Sequence, residues 1–119
     1  KKFKTLKLNI AICNTAEYQA NYRVYFKQIL AHELGHYIYF FRDQDPQAFD
    51  TICRNNEQNT CNVKGFFSEY AQKSKEEDYA ESFAYRYKNL EKEKEFWSAP
   101  TSETIYQKEN HFNQLFPSL

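Results

Sequence analysis

The order of apolar and polar positions changes character several times along the chain. Residues 3–12 alternate from Leu6 onward, which predicts a strand with one wet face, and Asn14-Thr15 supplies turn and cap chemistry at its end. Residues 16–41 then read as a long first helix. Gln19, Arg23 and Lys27 mark its solvent side, and Tyr22, Tyr25, Phe26 and Ile29 mark a core side. From Leu34 to Phe41 the helix is apolar nearly all round, so other elements are expected to cover that half.

Asp45-Pro46 is a cap followed by proline at the first helical position, and it predicts a short helix over 46–54. A polar loop follows over 54–65 and ends at Gly65, after which Phe66-Phe67 should pack back onto the core. Ser74-Lys75-Glu76-Glu77 matches the Ser-x-x-Glu capping box and predicts a second long helix from Lys75 to about Glu95. Pro100 breaks the chain, and Thr101 or Ser102 caps a third helix to about Phe116, with Ile105, Phe112, Leu115 and Phe116 apolar. No repeat or low-complexity segment interrupts this order. The pattern predicts an α+β, mainly helical domain in which helices pack on a small sheet.

At 119 residues the chain fits one domain with a modest core. Ten Tyr and eleven Phe mean that large rings supply much of the packing. Basic and acidic residues balance at 16 each, so no nucleic-acid footprint is expected, and no apolar run reaches membrane-spanning length. The chain has no Met, even at position 1, and therefore reads as a mature product or an excised domain, leaving room for upstream strands. Cys53 and Cys61 flank the polar loop, and a disulfide closing it is sterically reasonable and would suit a secreted protein. Cys13 reads as a small buried hydrophobe in the strand.

The candidate chemistry lies in the middle of the first helix. Ala31-His32-Glu33-Leu34-Gly35-His36-Tyr37 holds His-Glu-x-x-His. Positions i and i+4 share a helix face, so His32 and His36 can point two imidazoles at one zinc ion. Glu33 lies beside them, within reach of a water on that ion, and is the candidate general base. Gly35 between them makes sense either where a backbone or a substrate approaches closely or as a tolerated residue. A catalytic zinc needs a third protein ligand and an open position. His111 has no partner motif and reads as a boundary residue. The second helix offers more, because Glu77 and Glu81 share a face on which Ala80 and Ala84 let the helix lie close to the first. One of these carboxylates would bind the ion and the other would accept the free N–H of a ligating histidine.

The segment Gly65-Phe66-Phe67-Ser68-Glu69-Tyr70-Ala71, continued by Glu76-Glu77-Asp78-Tyr79-Ala80-Glu81-Ser82-Phe83-Ala84, resembles the downstream half of the anthrax lethal factor-like metallopeptidase domain. That group includes the clostridial secreted Pro-Pro endopeptidases. The separation from His36 to Glu77 is 41 residues, which suits it, and the likeness covers residues 26–90. The resemblance implies a zincin-like (gluzincin) fold with a central His-Glu-x-x-His helix, a second Glu-bearing helix and a small N-terminal sheet. It implies that Glu77 is the third zinc ligand and Glu81 the carboxylate behind a histidine. It also implies that Tyr70, seven residues before Glu77, donates to the transition state. The implied activity is zinc-dependent hydrolysis of a protein or peptide substrate by a secreted monomer. The strand over 6–12 is the candidate edge for an extended substrate. The intracellular repressor-cleaving metallopeptidases are also similar to His-Glu-Leu-Gly-His with Glu-x-x-Ala-x-x-Phe-Ala, and would make the protein cytoplasmic, but they usually have a shorter gap. A non-catalytic, zinc-stabilised binding domain is the remaining alternative.

Overall fold

A computed structural model describes residues 22–91 and 102–117, with side chains placed over 26–86 and 102–117. The expected strand over 3–12, Cys13, the start of the first helix and its Tyr22 and Tyr25 side chains lie outside these descriptions, as does the end of the second long helix after Glu91. Among the described residues the chain is mainly helical with one small two-stranded sheet. No described helix is long and apolar enough to cross a membrane.

Helix α1 spans Tyr22–Phe41 and helix α2 spans Pro46–Cys53. Asp45 caps α2 by accepting from the Ala48 N–H, and Pro46 occupies the first turn, where its missing N–H costs nothing. Strands β1 (Arg54–Asn55) and β2 (Gln58–Asn59) then form an antiparallel hairpin, with Arg54 opposite Asn59. Asn56 in its turn has φ 58°, a left-handed conformation that Asn tolerates better than most side chains. The only sheet among the described residues thus lies inside the segment read as a plain polar loop. A disulfide between Cys53 and Cys61 brackets it, with Cα atoms 5.0 Å apart. Gly65 follows because the bridge sits on it: a Cβ there would meet the Cys61 Cβ at 2.7 Å.

Two single turns of 3₁₀ helix, Val63–Gly65 and Tyr70–Gln72, lead to helix α3, Lys75–Glu91. Helix α4, Glu103–Leu115, starts where the Ser102 hydroxyl accepts from the Ile105 N–H. Among the described residues the most extensive helix interface is that of α1 with α3. At its centre Gly35 meets Ala80, where a Cβ on residue 35 would stand 2.8 Å from the Ala80 Cα. The reason for Gly35 is therefore the close approach of the α3 backbone.

The apolar half of α1 is covered in part: Ile38 and Tyr39 are buried, and Leu34, Tyr37 and Phe40 pack half-buried against their cluster. Ile38, Tyr39, Phe49, Tyr79, Phe83 and Phe112 form one buried cluster. Phe49, Tyr79 and Phe112 meet with ring centroids 4.9–5.6 Å apart in tilted and edge-on arrangements. Phe67 does fold back, stacking on Tyr85 at 4.5 Å. Phe26, read as a core residue, is instead 43% exposed, because α3 crosses α1 lower down, at Gly35.

The core also holds a pair of charges, Asp78 from the first turns of α3 and Lys108 from the middle of α4. Both are buried, and they pair at 2.8 Å. The Lys108 ammonium also donates to the Gly65 carbonyl at 2.7 Å and lies 4.3 Å from the centre of the Phe66 ring. It ties α4 to α3 and to the end of the disulfide loop. Burial pushes the Asp78 carboxyl up and the Lys108 ammonium down, with each partner opposing the shift of the other.

Candidate metal centre

The site forms where α1 and α3 come closest. His32 and His36 project from one face of α1, their rings edge to face with centroids 4.8 Å apart. Glu77 lies on the first turn of α3. Its N–H is capped by the Ser74 hydroxyl at 3.2 Å, so one half of the capping box is made. The other half is given up, because the Glu77 carboxylate turns toward α1. Its Oε1 lies 2.9 Å from His32 Nε2 and 2.8 Å from His36 Nε2. Its Oε2 accepts from the Tyr70 hydroxyl at 2.9 Å. One turn later, Glu81 Oε2 accepts from His32 Nδ1 at 2.7 Å, and Glu81 Oε1 accepts from the Ser68 hydroxyl at 2.6 Å. Glu33 is half-buried, and its charge acts on His32, His36 and Tyr70.

His32, His36, Glu77, Glu81 and Tyr70 are thus brought together, although Tyr70 and Glu81 lie far from the motif in sequence. His111 is placed elsewhere. Its Nε2 lies 2.7 Å from Asp43 Oδ2, and the same oxygen accepts from Tyr79 at 2.5 Å. Cys53 and Cys61 are spent on each other. Ser68 belongs to the site and had no distinct signal in the sequence, since a single serine in a loop carries no spacing to read.

No family model matches this chain, and neither does a curated protein or a solved structure. What the site can do therefore rests on its own geometry.

Among the described residues, the one group of three His, Cys, Asp or Glu side chains able to hold a metal is His32, His36 and Glu77, with ligand atoms all within 4.8 Å of one another. In a tetrahedral zinc site with bonds of about 2.0–2.1 Å, neighbouring ligand atoms sit about 3.3 Å apart. The two nitrogens here lie slightly closer than that to the Glu77 oxygen, so small side-chain rotations would admit the ion. Two imidazoles and one carboxylate form a donor set that zinc favours.

The electrostatics suit a ligand at His36 and Glu77 and oppose one at His32. Burial pulls the His32 imidazole down, but the hydrogen bond and charge of Glu81, with Glu77 and Glu33 behind them, hold it above its usual range. At His36 burial wins over the attraction of Glu77, and the ring is held below its usual range, as a neutral donor. Burial pushes Glu77 up, but its bond from Tyr70 and the two histidines more than offset this, so it stays a carboxylate. A metal ligand needs a free imidazole lone pair or an ionised carboxyl, so the directions at His36 and Glu77 suit one, whereas the carboxylates around His32 favour its imidazolium and an ion there would have to displace that proton. At His32 both ring nitrogens face carboxylate oxygens, so the ring must either carry a proton on each or give Nε2 to a cation. The His36 Nδ1 is buried without a hydrogen-bond partner among the described residues.

Proposed function

We propose that this chain is a zinc-dependent endopeptidase of the lethal factor-like kind, with a zincin-like arrangement of α1 and α3. The observation that carries the reading is the convergence of both histidine Nε2 atoms on one Glu77 oxygen, with Glu81 behind His32. His32, His36 and Glu77 would hold one Zn²⁺. Bound there, zinc would supply Lewis acidity, polarising a peptide carbonyl and lowering the pKa of a water to about 7.

The chain's own groups would do the rest. Glu33, adjacent in sequence to a ligand but not committed to one, takes the proton of the attacking water and passes it to the leaving amine. Glu81 fixes the His32 tautomer by holding its Nδ1–H, so that Nε2 keeps its lone pair toward the ion. The Tyr70 hydroxyl rests on Glu77 and is 43% exposed, so it can turn from that carboxylate to the developing oxyanion. Its bond to Glu77 raises the pKa of the phenol, as does burial, and keeps it a donor.

The disulfide supports an oxidising compartment and hence a secreted enzyme, and it favours this reading over an intracellular repressor-cleaving peptidase. Incubation of the zinc-loaded protein with a broad peptide library tests the activity. Cleavage should appear, stop on adding a chelator, and return with one equivalent of zinc. A zinc-loaded protein that cuts nothing would instead be a zinc-stabilised binding domain.

A further inference from the structure

Ser68 stands outside the six residues given roles above, yet its hydroxyl joins the backbone of the Tyr70 turn to Glu81. Its oxygen accepts from the Ala71 N–H at 3.1 Å, and its proton goes to Glu81 Oε1 at 2.6 Å. Ala71 is fully buried, so its N–H has no water to turn to. Glu69, at the head of the 3₁₀ turn Tyr70–Gln72, makes no side-chain cap, so the Ser68 oxygen serves instead. The far end of that turn is held independently, by the Arg54 guanidinium at the Ala71 and Gln72 carbonyls (3.3 and 3.4 Å).

The direction of these bonds matters. A serine needed only to cap the turn could aim its proton anywhere. This one aims it at the carboxylate whose other oxygen holds His32. Glu81 is thereby fixed at both oxygens, by α1 on one side and by the Tyr70 turn on the other. A carboxylate held at one oxygen can still swing about its last torsion, whereas one held at both cannot.

We propose that Ser68 is a positioning residue that sets the Tyr70 hydroxyl and the His32 imidazole in one register, acting through the Ala71 N–H and Glu81. The role in turnover rests on the peptidase reading; the coupling itself does not. Partners one step out from a metal ligand typically change activity or metal affinity by about 10–100-fold.

Two readouts test it. The first is amide exchange in the metal-free protein, which needs neither zinc nor activity. Ser68→Ala should speed exchange at Ala71 by about tenfold or more. Glu81→Ala should also speed it, because the oxygen that accepts the serine proton is removed and the hydroxyl reorients. Unchanged exchange at Ala71 in either variant overturns the coupling. The second is steady-state kinetics. Ser68→Ala should lower kcat about tenfold with KM within about twofold, and Ser68→Thr should restore most of the loss. Added to Tyr70→Phe, Ser68→Ala should cost no more than about a further twofold, because the group it positions is gone. A full second tenfold loss would mean that Ser68 acts independently of Tyr70, and would overturn the proposal. Wild-type protein that binds no zinc or cuts no peptide counts against the peptidase reading alone, and the exchange arm still decides the coupling.

Discussion

Glu33→Gln is expected to leave one zinc ion per chain and to slow peptide cleavage by about a thousandfold or more, a loss near the middle of the range for a positioned general base. The substitution keeps the shape and removes only the ability to take a proton. The proposed ligands are His32, His36 and Glu77, whose atoms already converge without Glu33, so metal content should not depend on it. Isothermal titration with zinc, followed by cleavage of a fluorogenic peptide, separates the two quantities. Cleavage at the wild-type rate would sink the mechanism while leaving the metal site standing. Loss of zinc together with activity would move Glu33 from base to ligand.

The second large effect concerns stability. Lys108→Met leaves the Asp78 carboxylate buried with its ion-pair partner gone, its side chain 3% exposed, and leaves the Gly65 carbonyl without that donor. Breaking one partner of a buried pair typically costs about 3–5 kcal/mol, a large part of the total stability of a domain this size. Denaturant unfolding should report a fall of that order. The double variant Lys108→Met with Asp78→Asn should recover part of it, since no uncompensated charge then remains. A change below about 1 kcal/mol in the single variant would mean that the pair is not the buried pin described above.

These two residues show where the sequence stops being legible. Local signals carried much of the fold: Asp45-Pro46 starts α2, Ser74 precedes α3 and Ser102 caps α4, because caps and fixed φ values act within a few residues. Lys108 shares a helix face with Ile105 and Phe112, both buried. That spacing was a signal, but a lysine there reads equally well as an exposed charge until its partner is known. The partner, Asp78, is on another helix and carries every mark of an N-terminal dipole acid. Nothing in either segment names the other.

The site divides in the same way. His32, Glu33 and His36 form a local pattern whose geometry follows from helix periodicity alone. Glu77 and Glu81 could be narrowed to a face because Ala80 and Ala84 flank them, and Gly35 turned out to be the matching flat spot on α1. Tyr70 entered only through a family resemblance. Ser68 did not enter at all, because its contribution depends on where a loop returns rather than on spacing. The hairpin inside the Cys53–Cys61 loop was hidden for a related reason: two-residue strands of Arg, Asn and Gln carry no alternation to read.

The proposed chemistry requires that three side chains from two helices hold one zinc. Protein stripped with a chelator, reloaded with excess zinc and dialysed should carry one zinc ion per chain by elemental analysis. Glu77→Ala treated in parallel should carry essentially none, while remaining folded by circular dichroism. Wild-type protein that retains no zinc, or a Glu77→Ala variant that retains as much as wild type, would contradict the site and with it the peptidase reading.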